Sequence, residues 1–352
     1  MTRFRARAAV FFITLTLGCT VAATAAPALS ATAATPASAQ TASGWLAHQL
    51  VKGNHFVSVY EGVTSPDQGE TIDAILAFAA TKSANSYGSA AIHWLEQASV
   101  LYGYIGTGTE SYAGETAKLA LAAEVRGINP AKFGTAKFGT VNLLTRLGKL
   151  LTKSGRYSDH SKYGDYSNAF SQALAIIALS RHDGAPASAV KFLVSSECKN
   201  GGYPLDFAQK TCVSDTDATA MDVQALLAAG QHAAAERGLF WLASVQKRNG
   251  GFDAAGETSP NANTTGLAGE AYAASGWKWH AAQAEKFLTS LQVGCSAPSA
   301  EQGALAYSSS GYAAGTAVDA TAQGILGLAG ISLAKLSASG SSSRTPLLAC
   351  VS

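Results

Sequence analysis

Carboxylates cluster in one short stretch near the middle of the chain, where Asp215-Thr216-Asp217-Ala218-Thr219-Ala220 is followed by Asp222. Neighbouring carboxylates repel one another, which can raise the pKa of one of them and hold a proton ready for general-acid catalysis. The stretch opens a predicted helix, whose dipole opposes this effect because it favours the ionised form. If the protein is an enzyme, Asp217, together with Asp215, is therefore the candidate acid.

The position of Asp217 recurs along the chain. Aligning the predicted helices on their leucines brings three further residues to the same position, immediately before the helical pattern: Asn168, Asn263 and Asp319. Asp and Asn are preferred N-caps, worth about 1 kcal/mol each, and capping would explain all four without a functional role. Asp319 is also a candidate ligand-binding residue. A pair such as Asp217 with Asp319 could alternatively serve a polysaccharide-active α/α barrel.

Four cysteines follow the N-terminal segment: Cys198, Cys212, Cys295 and Cys350. An even number in an exported chain favours disulfides, and three pairings are possible. A Cys198–Cys212 bond would contribute roughly 3 kcal/mol and a Cys295–Cys350 bond roughly 4 kcal/mol through loop entropy. No histidine lies at ligand spacing from these cysteines, so we predict neither a metal site nor a cofactor.

The N-terminus has the pattern of a secretion signal. Arg3, Arg5 and Arg7 precede the apolar run 8–17, and residues 26–43 form an uncharged Ala/Thr/Ser/Pro-rich segment predicted to be disordered. Removing residues 1–40 would take away three arginines and no acid, which lowers the formal charge from +2 to −1. This balance does not favour nucleic acid as a partner. We expect a secreted protein with no membrane span after signal cleavage.

Two glycine turns reveal the elements that must position these groups. Asn200-Gly201-Gly202-Tyr203 and Asn249-Gly250-Gly251-Phe252 are the same turn, 49 residues apart. An aromatic or aliphatic residue followed by leucine precedes both turns. The same two-residue pattern recurs along the chain, with its leucine at positions 46, 95, 144, 193, 242 and 288. The period predicts six repeats of helix, turn and helix, and no segment shows the sustained alternation of a strand.

The second helix of each repeat is rich in small residues, as in Gly266-Leu267-Ala268-Gly269. Small residues let helices approach closely, which suits an inner ring surrounded by larger outer helices. We therefore predict an all-α fold, an (α/α)6 toroid of six helical hairpins. Residues 1–40 would be the signal peptide and the start of the disordered lead-in, 41–336 the toroid, and 337–352 a Ser-rich tail.

One repeat carries a known motif. Arg237-Gly238-Leu239-Phe240-Trp241-Leu242, followed by Gln246, Gly250 and Phe252, resembles the glutamine–aromatic repeat of squalene and oxidosqualene cyclases. The resemblance implies the α/α toroid shared by terpenoid cyclases, protein prenyltransferase β subunits, thioester-containing complement domains and cobalamin carriers. Class II terpene cyclases protonate an alkene with the middle Asp of an Asp-x-Asp-Asp-Thr-Ala motif, which implies Asp217 as the acid. Here Ala218 replaces the following Asp, and one helical domain stands where such cyclases have two.

Cobalamin carriers are secreted, disulfide-bonded relatives that use the toroid as one face of a binding site. We therefore expect a secreted toroid that binds a ligand or partner without catalysis. The ligand would be small and apolar or a corrinoid, and the partner a separate extracellular protein. The candidate contact residues are Tyr203, Phe252 and Tyr307, although such aromatics can equally pack between repeats. The alternative is a terpenoid-cyclase-like enzyme that uses Asp217 as its general acid.

Overall fold

Helices alternate between two concentric layers in the computed structural model, which describes residues 35–137, 139–207 and 209–350. The inner helices are α2 (Gln68–Thr81), α5 (Ala113–Val125), α7 (Ala169–His182), α9 (Thr216–Ala228), α11 (Ala262–Ser275) and α13 (Ala314–Ala329). The outer helices are α1 (Ala37–Gln49), α3 (Asn85–Leu95), α4 (Ala98–Ile105), α6 (Leu143–Lys149), α8 (Ala187–Ser195), α10 (His232–Val245) and α12 (Lys278–Ser290). Short 3-10 helices span Pro130–Lys132 and Leu333–Lys335.

The inner helices form a closed ring. Each one packs against the next inner helix in the chain, and α13 returns to pack on α2. Glycines permit the closest approach, between α11 and α13, where a Cβ on Gly266 would lie 2.6 Å from the Gln323 carbonyl oxygen. The outer ring closes through Gln292, whose side chain donates to the Ser38 carbonyl at 2.9 Å. The predicted all-α toroid of six helical hairpins is confirmed.

A glutamine of the motif joins neighbouring repeats. Gln246 donates to the carbonyl oxygen of Gly250 at 3.0 Å, within its own turn, and to that of His280 at 3.2 Å, on the next outer helix. In the preceding repeat Glu197 stands in its place and forms two hydrogen bonds with Arg237 at 2.7 and 2.6 Å. Glu197 therefore still connects its repeat to the following one, by an ion pair with Arg237 instead of amide hydrogen bonds.

A second periodic contact escaped the sequence analysis. In five repeats the backbone N–H of the residue after the turn donates to a side chain one turn into the inner helix. The pairs are Phe56 with Thr71, Tyr157 with Gln172, Tyr203 with Thr219, Phe252 with Thr265, and Leu305 with Thr321, at 2.8 to 3.0 Å. These bonds satisfy buried N–H groups, which would otherwise destabilise the fold, and they fix each inner helix relative to its turn.

The chain between Leu333 and Cys350, here called the strap, covers one end of the inner ring. Its backbone bonds the carbonyls of Val125 and Lys82 at the C-terminal ends of α5 and α2, at 2.7 and 2.9 Å. Arg181, near the end of α7, donates to three strap carbonyls, those of Leu333, Ala334 and Leu336. The strap therefore closes the ring at the C-terminal ends of the inner helices.

Three local predictions need correction. A hairpin of β1 (Phe56–Tyr60) and β2 (Val63–Asp67) precedes α2, and a smaller one pairs β3 (Phe133–Thr135) with β4 (Gly139–Val141). Helix α1 begins at Ala37, inside the stretch 26–43 that was predicted to be disordered. The outer layer of the second repeat, predicted as one helix, is divided into α3 and α4. The predicted signal peptide lies outside the described residues.

Candidate ligand-binding cavity

A cavity of about 330 Å³ lies inside the ring of inner helices. All six inner helices contribute to its walls, and Leu333 of the strap lies at its floor. Tyr166 also lines it and is 76% exposed, so the cavity opens to solvent at the end opposite the strap. Ligand sites usually span about 300 to 1,000 Å³, which places this cavity at the small end of the range.

One wall of the cavity is polar. It is formed by Asp73 of α2, Glu115 and Lys118 of α5, and Gln323 of α13. The Lys118 ammonium lies 2.7 Å from an Asp73 carboxylate oxygen, so this pair is internally neutral. Burial raises the pKa of both Asp73 and Glu115, with Lys118 acting against the shift in each case. Burial also raises the pKa of Glu70, one helical turn before Asp73.

The opposite wall is apolar. Leu174 of α7, Met221 of α9 and Leu267 of α11 occupy the same level as Asp73 and Lys118. This contrast follows from the sequence at one register, the sixth residue of the inner helix, which is charged in α2 and α5 and apolar in α7, α9 and α11. The cavity is therefore amphipathic across its width.

A single carboxylate lies among leucines at the floor. Glu270 is 1% exposed, and its neighbours on the cavity wall at this depth are Leu76, Leu326 and Leu333. Its Oε2 accepts a hydrogen bond from Gln224 at 3.2 Å, and the Oε1 of Gln224 accepts one from the Leu333 N–H at 3.1 Å. Burial raises the pKa of Glu270 well above its ordinary value. The floor carboxylate is thus linked to the strap through one amide.

The candidate acid Asp217 lies in the first turn of α9 and does not line the cavity. Burial raises its pKa to about 6, and the charges of Asp215 and Glu257 add to the shift. A hydrogen bond from the Thr264 side chain opposes this rise in pKa. In the first turns of α2 and α11, Glu70 Oε1 and Asn263 Oδ1 are buried without a hydrogen-bond partner. The unpartnered oxygens near the open end are thus acceptors that lack donors.

The capping prediction was right for Asn168, two residues late for Asp217 and Asn263, and wrong for Asp319, because α13 follows Ala313 without a side-chain cap. Asn168 caps α7, but the caps of α9 and α11 are Asp215 and Asn261, which accept from the N–H groups of Ala218 and Thr264. Asp217 and Asn263 lie inside their helices, and Asp319 lies in the second turn of α13. The leucine alignment placed these last three residues at one register, and that register faces the open end. Asn263 and Asp319 are hydrogen-bonded to each other.

Two of the three candidate aromatics are buried inside the wall. Tyr203 and Phe252 have no exposed surface and pack in the core beneath their glycine turns. The alternative interpretation, packing between repeats, describes them, and we assign them no ligand contact. Tyr307 is half-buried and donates to Glu257 Oε1 at 2.6 Å. It therefore belongs to the rim near Asp217.

Both named disulfides form. Cys198 bonds Cys212 and Cys295 bonds Cys350, each with Cα atoms 5.5 Å apart. The first closes the loop after the altered glycine turn, and the second fixes the far end of the strap to the loop after α12. Within the described residues we find no group of three His, Cys, Asp or Glu side chains arranged to hold a metal ion. None of the described helices combines the length and hydropathy of a membrane span.

A larger groove of about 740 Å³ lies outside the ring, between α6 and the loops around Glu110 and His160. Its Arg146 is committed to three backbone carbonyls of the adjacent loop, those of Ile105, Gly106 and Glu110. That arginine therefore holds the loop in place, and we regard the central cavity as the better candidate site.

Comparison with protein-family profiles and with curated sequences gives no match. Solved structures do match. A protein from Actinoplanes is 15% identical with a TM-score of 0.60, over 83% of this chain and 97% of that one. Protein geranylgeranyltransferase-I of Candida albicans, complexed with GGPP, is 11% identical with a TM-score of 0.50, over 74% and 84%. At such low identity these likenesses show the fold alone, which is the α/α toroid that the repeat motif predicted.

An ent-copalyl diphosphate synthase from Streptomyces platensis also matches, at 16% identity and a TM-score of 0.49. The match covers 75% of this chain and 50% of the synthase, so this chain spans about half the length of that protein.

Of the residues that line the cavity, the sequence analysis named only Asn168, as a cap, and Leu267, within a small-residue stretch; it assigned neither of them to a site. One signal could have found Glu270. It follows Gly266-Leu267-Ala268-Gly269 in a helix assigned to the inner ring, and a charge there has no solvent to face except through a central cavity.

Proposed function

We propose that the protein is a secreted binding protein whose central cavity holds a small ligand without transforming it. The observation that carries this proposal is the cavity itself, open at one end and closed at the other by Leu333 and the strap. Its polar groups are held by fixed partners, as in the pairs Asp73–Lys118 and Glu270–Gln224. A preformed, concave site with a few oriented polar groups is typical of ligand binding.

Export is part of the proposal. The basic and apolar N-terminal segment supports it, because that pattern is typical of a signal peptide. The two disulfides support it as well, since such bonds persist in oxidising compartments.

Two observations weigh against the terpenoid-cyclase alternative. Asp217 does not line the cavity, although it would have to reach a bound alkene. The cavity is also polar along one whole wall, whereas a polyene substrate calls for an apolar enclosure. Asp217 and Asp319 do not act as a pair around the cavity either, because Asp319 accepts hydrogen bonds from Asn263 and Gln323.

The size of the cavity also bears on the ligand. A corrinoid with its side chains is much larger than about 330 Å³ and could rest only across the open end. A small ligand fits the enclosed space. A protein partner remains an outcome of the experiment below.

The experiment compares wild type with a cavity-filling variant, Leu267→Trp, by native mass spectrometry against a panel of small amines, alcohols, acids and a corrinoid. Leu267 is half-buried and faces the empty volume, so the larger ring should occupy the site. We expect wild type to retain at least one small molecule and Leu267→Trp to lose it. Leu144→Trp, on α6 away from the cavity, is the matched control and should bind as wild type does. Retention that survives Leu267→Trp would refute the proposal.

A further inference from the structure

The cavity is lined by more acidic side chains than its one lysine can pair with. Four acids and one lysine line it: Asp73, Glu115, Asp159 and Glu270, with Lys118. Lys118 pairs with Asp73, and both oxygens of Asp159 accept backbone N–H groups, those of Ala113 and Tyr166. Glu115 and Glu270 are left facing the cavity without a cation.

Glu270 is the sharper of these two signals. Its side chain is almost completely buried, and only Oε2 has a partner, the Gln224 amide. Because Gln224 is itself held by the strap backbone, the carboxylate is fixed in position. Burial raises the pKa of Glu270 and so favours its neutral form, whereas a positively charged donor at the free oxygen would favour the ionised carboxylate. The floor of the cavity therefore lacks a hydrogen-bond donor, and preferably a positively charged one.

The surroundings of Glu270 restrict what that donor can be. The leucines of the floor and of the apolar wall offer no ligand to a bare metal ion, and the Met221 thioether suits only soft metals. They do offer apolar surface to the carbon skeleton of an organic molecule. Tyr104, Tyr166 and Phe170 line the same cavity and can contact a cation through their rings. An anionic ligand would meet uncompensated carboxylates instead.

We propose that the cavity binds a small organic ammonium compound, with its nitrogen at Glu270 on the floor and its carbon skeleton against Leu174, Met221 and Leu267. Glu115, nearer the open end, is a second acidic group that favours a cation. This inference rests on the proposed binding function and names its ligand class. The volume corresponds to roughly eleven water molecules at liquid density, so the skeleton is short.

The test measures affinity by isothermal titration calorimetry for three probes of equal chain length, hexylamine, 1-hexanol and hexanoate. Charge-assisted hydrogen bonds are about twice as strong as neutral ones, so hexylamine should bind at least about tenfold more tightly than 1-hexanol. Hexanoate should bind most weakly. Equal or tighter binding of 1-hexanol or hexanoate would overturn the inference.

Substitutions test which carboxyl group is responsible for the preference for hexylamine. Glu270→Gln should lose about tenfold in affinity for hexylamine and leave the affinity for 1-hexanol unchanged. Glu96→Gln is the matched control, because Glu96 is also a buried glutamate but lies at the end of an outer helix. Glu115→Gln, at a less buried position, provides a second variant if Glu270→Gln fails to fold, and it should weaken only hexylamine. Unchanged hexylamine binding in the folded variants would overturn the assignment.

The outcomes separate the two proposals. If 1-hexanol binds as well as hexylamine and Leu267→Trp abolishes both, the cavity is a binding site but the ammonium inference is wrong. If no probe binds wild type, the ammonium inference is wrong, while another class retained in the native mass spectra would keep the binding function.

Discussion

The two ends of the inner ring are built from the same six helices and differ in almost every respect. At the open end the first turns carry Glu70, Glu115 and Asp217, and Glu70 Oε1 and Asn263 Oδ1 have no hydrogen-bond partner. At the other end the last turns are largely alanine and leucine, and the strap backbone donates to carbonyls at the ends of α2 and α5. The open end thus carries acidic side chains with few donors, whereas a covering segment supplies donors at the closed end. The predictions below test each end in turn.

The largest effect is expected at the closed end, from Arg181→Ala. Arg181 donates to three strap carbonyls and pairs with the buried Glu124. Its removal leaves that carboxylate without its main partner, which should lower the free energy of unfolding by about 4 kcal/mol. Urea denaturation measures the change. Arg248→Ala, at an exposed position, should stay within about 0.5 kcal/mol of wild type. A small effect at Arg181 would mean that the strap does not close the ring in solution.

Gly44→Ala in α1 should change the free energy of unfolding by a smaller amount, and the sign of the change is informative. Alanine is normally the better helix residue, by about 1 kcal/mol. Here a Cβ would lie 1.8 Å from the carbonyl oxygen of Pro346 in the strap. We therefore expect a loss of about 2 kcal/mol, since the strap must shift.

The control for Gly44→Ala is a chain that ends before Pro346 and carries Cys295→Ser. In that background the obstructing carbonyl is gone, and the same substitution should become stabilising. Destabilisation in both backgrounds would show that the strap does not pack against Gly44.

At the open end we expect a substitution that stabilises the protein, by an amount that depends on pH. The pKa of Asp217 is raised by burial from 3.8 to about 6, so the folded state binds the proton more readily than the unfolded chain. Asp217 does not lower the free energy of unfolding below about pH 4. Its destabilising effect grows between about pH 4 and 6 and is complete above about pH 6. Asp217→Asn should therefore stabilise the protein by about 2 kcal/mol at pH 7.5 and hardly at pH 4.

The neighbouring aspartate supplies the contrast. Asp215 caps α9 through the Ala218 N–H at 2.8 Å, and Asp215→Ala should lower the stability by about 1 kcal/mol. Thermal melts across pH 4 to 8 measure both variants. If Asp217→Asn were destabilising at pH 7.5, the open end would not store the unsatisfied charge that we assign to it.

The sequence predicts the architecture well because the same residue pattern recurs at a nearly fixed interval. Leucines spaced by 49 residues, or 46 in the last step, and the glycine turns define six hairpins, and six inner helices are observed with an outer layer around them. The β1–β2 hairpin was missed because Ser65-Pro66-Asp67 reads as a turn, whereas the exposed Val57 and Val59 extend the strand beside it. Single-sequence patterns favour the stronger local signal.

The site was only partly predictable, for a different reason. Asp217 and Asp319 were singled out because they share a register, and that register does face the open end. Glu270 and Lys118 come from different repeats and look like ordinary helix charges until the ring brings them together. The strap was predicted only as a Ser-rich tail tethered by Cys350, because its bonds to Arg181 and Gln224 depend on three-dimensional closure.

A crystal structure of the protein with bound hexylamine would test whether the cavity holds an ammonium compound at its acidic side chains. We expect one molecule inside the ring, with its nitrogen at hydrogen-bond distance from Glu270 or Glu115, its chain along Leu267, and the strap in place. Hexylamine bound only on the outer surface, with the cavity filled by water, would contradict the assignment of the open end as the binding site.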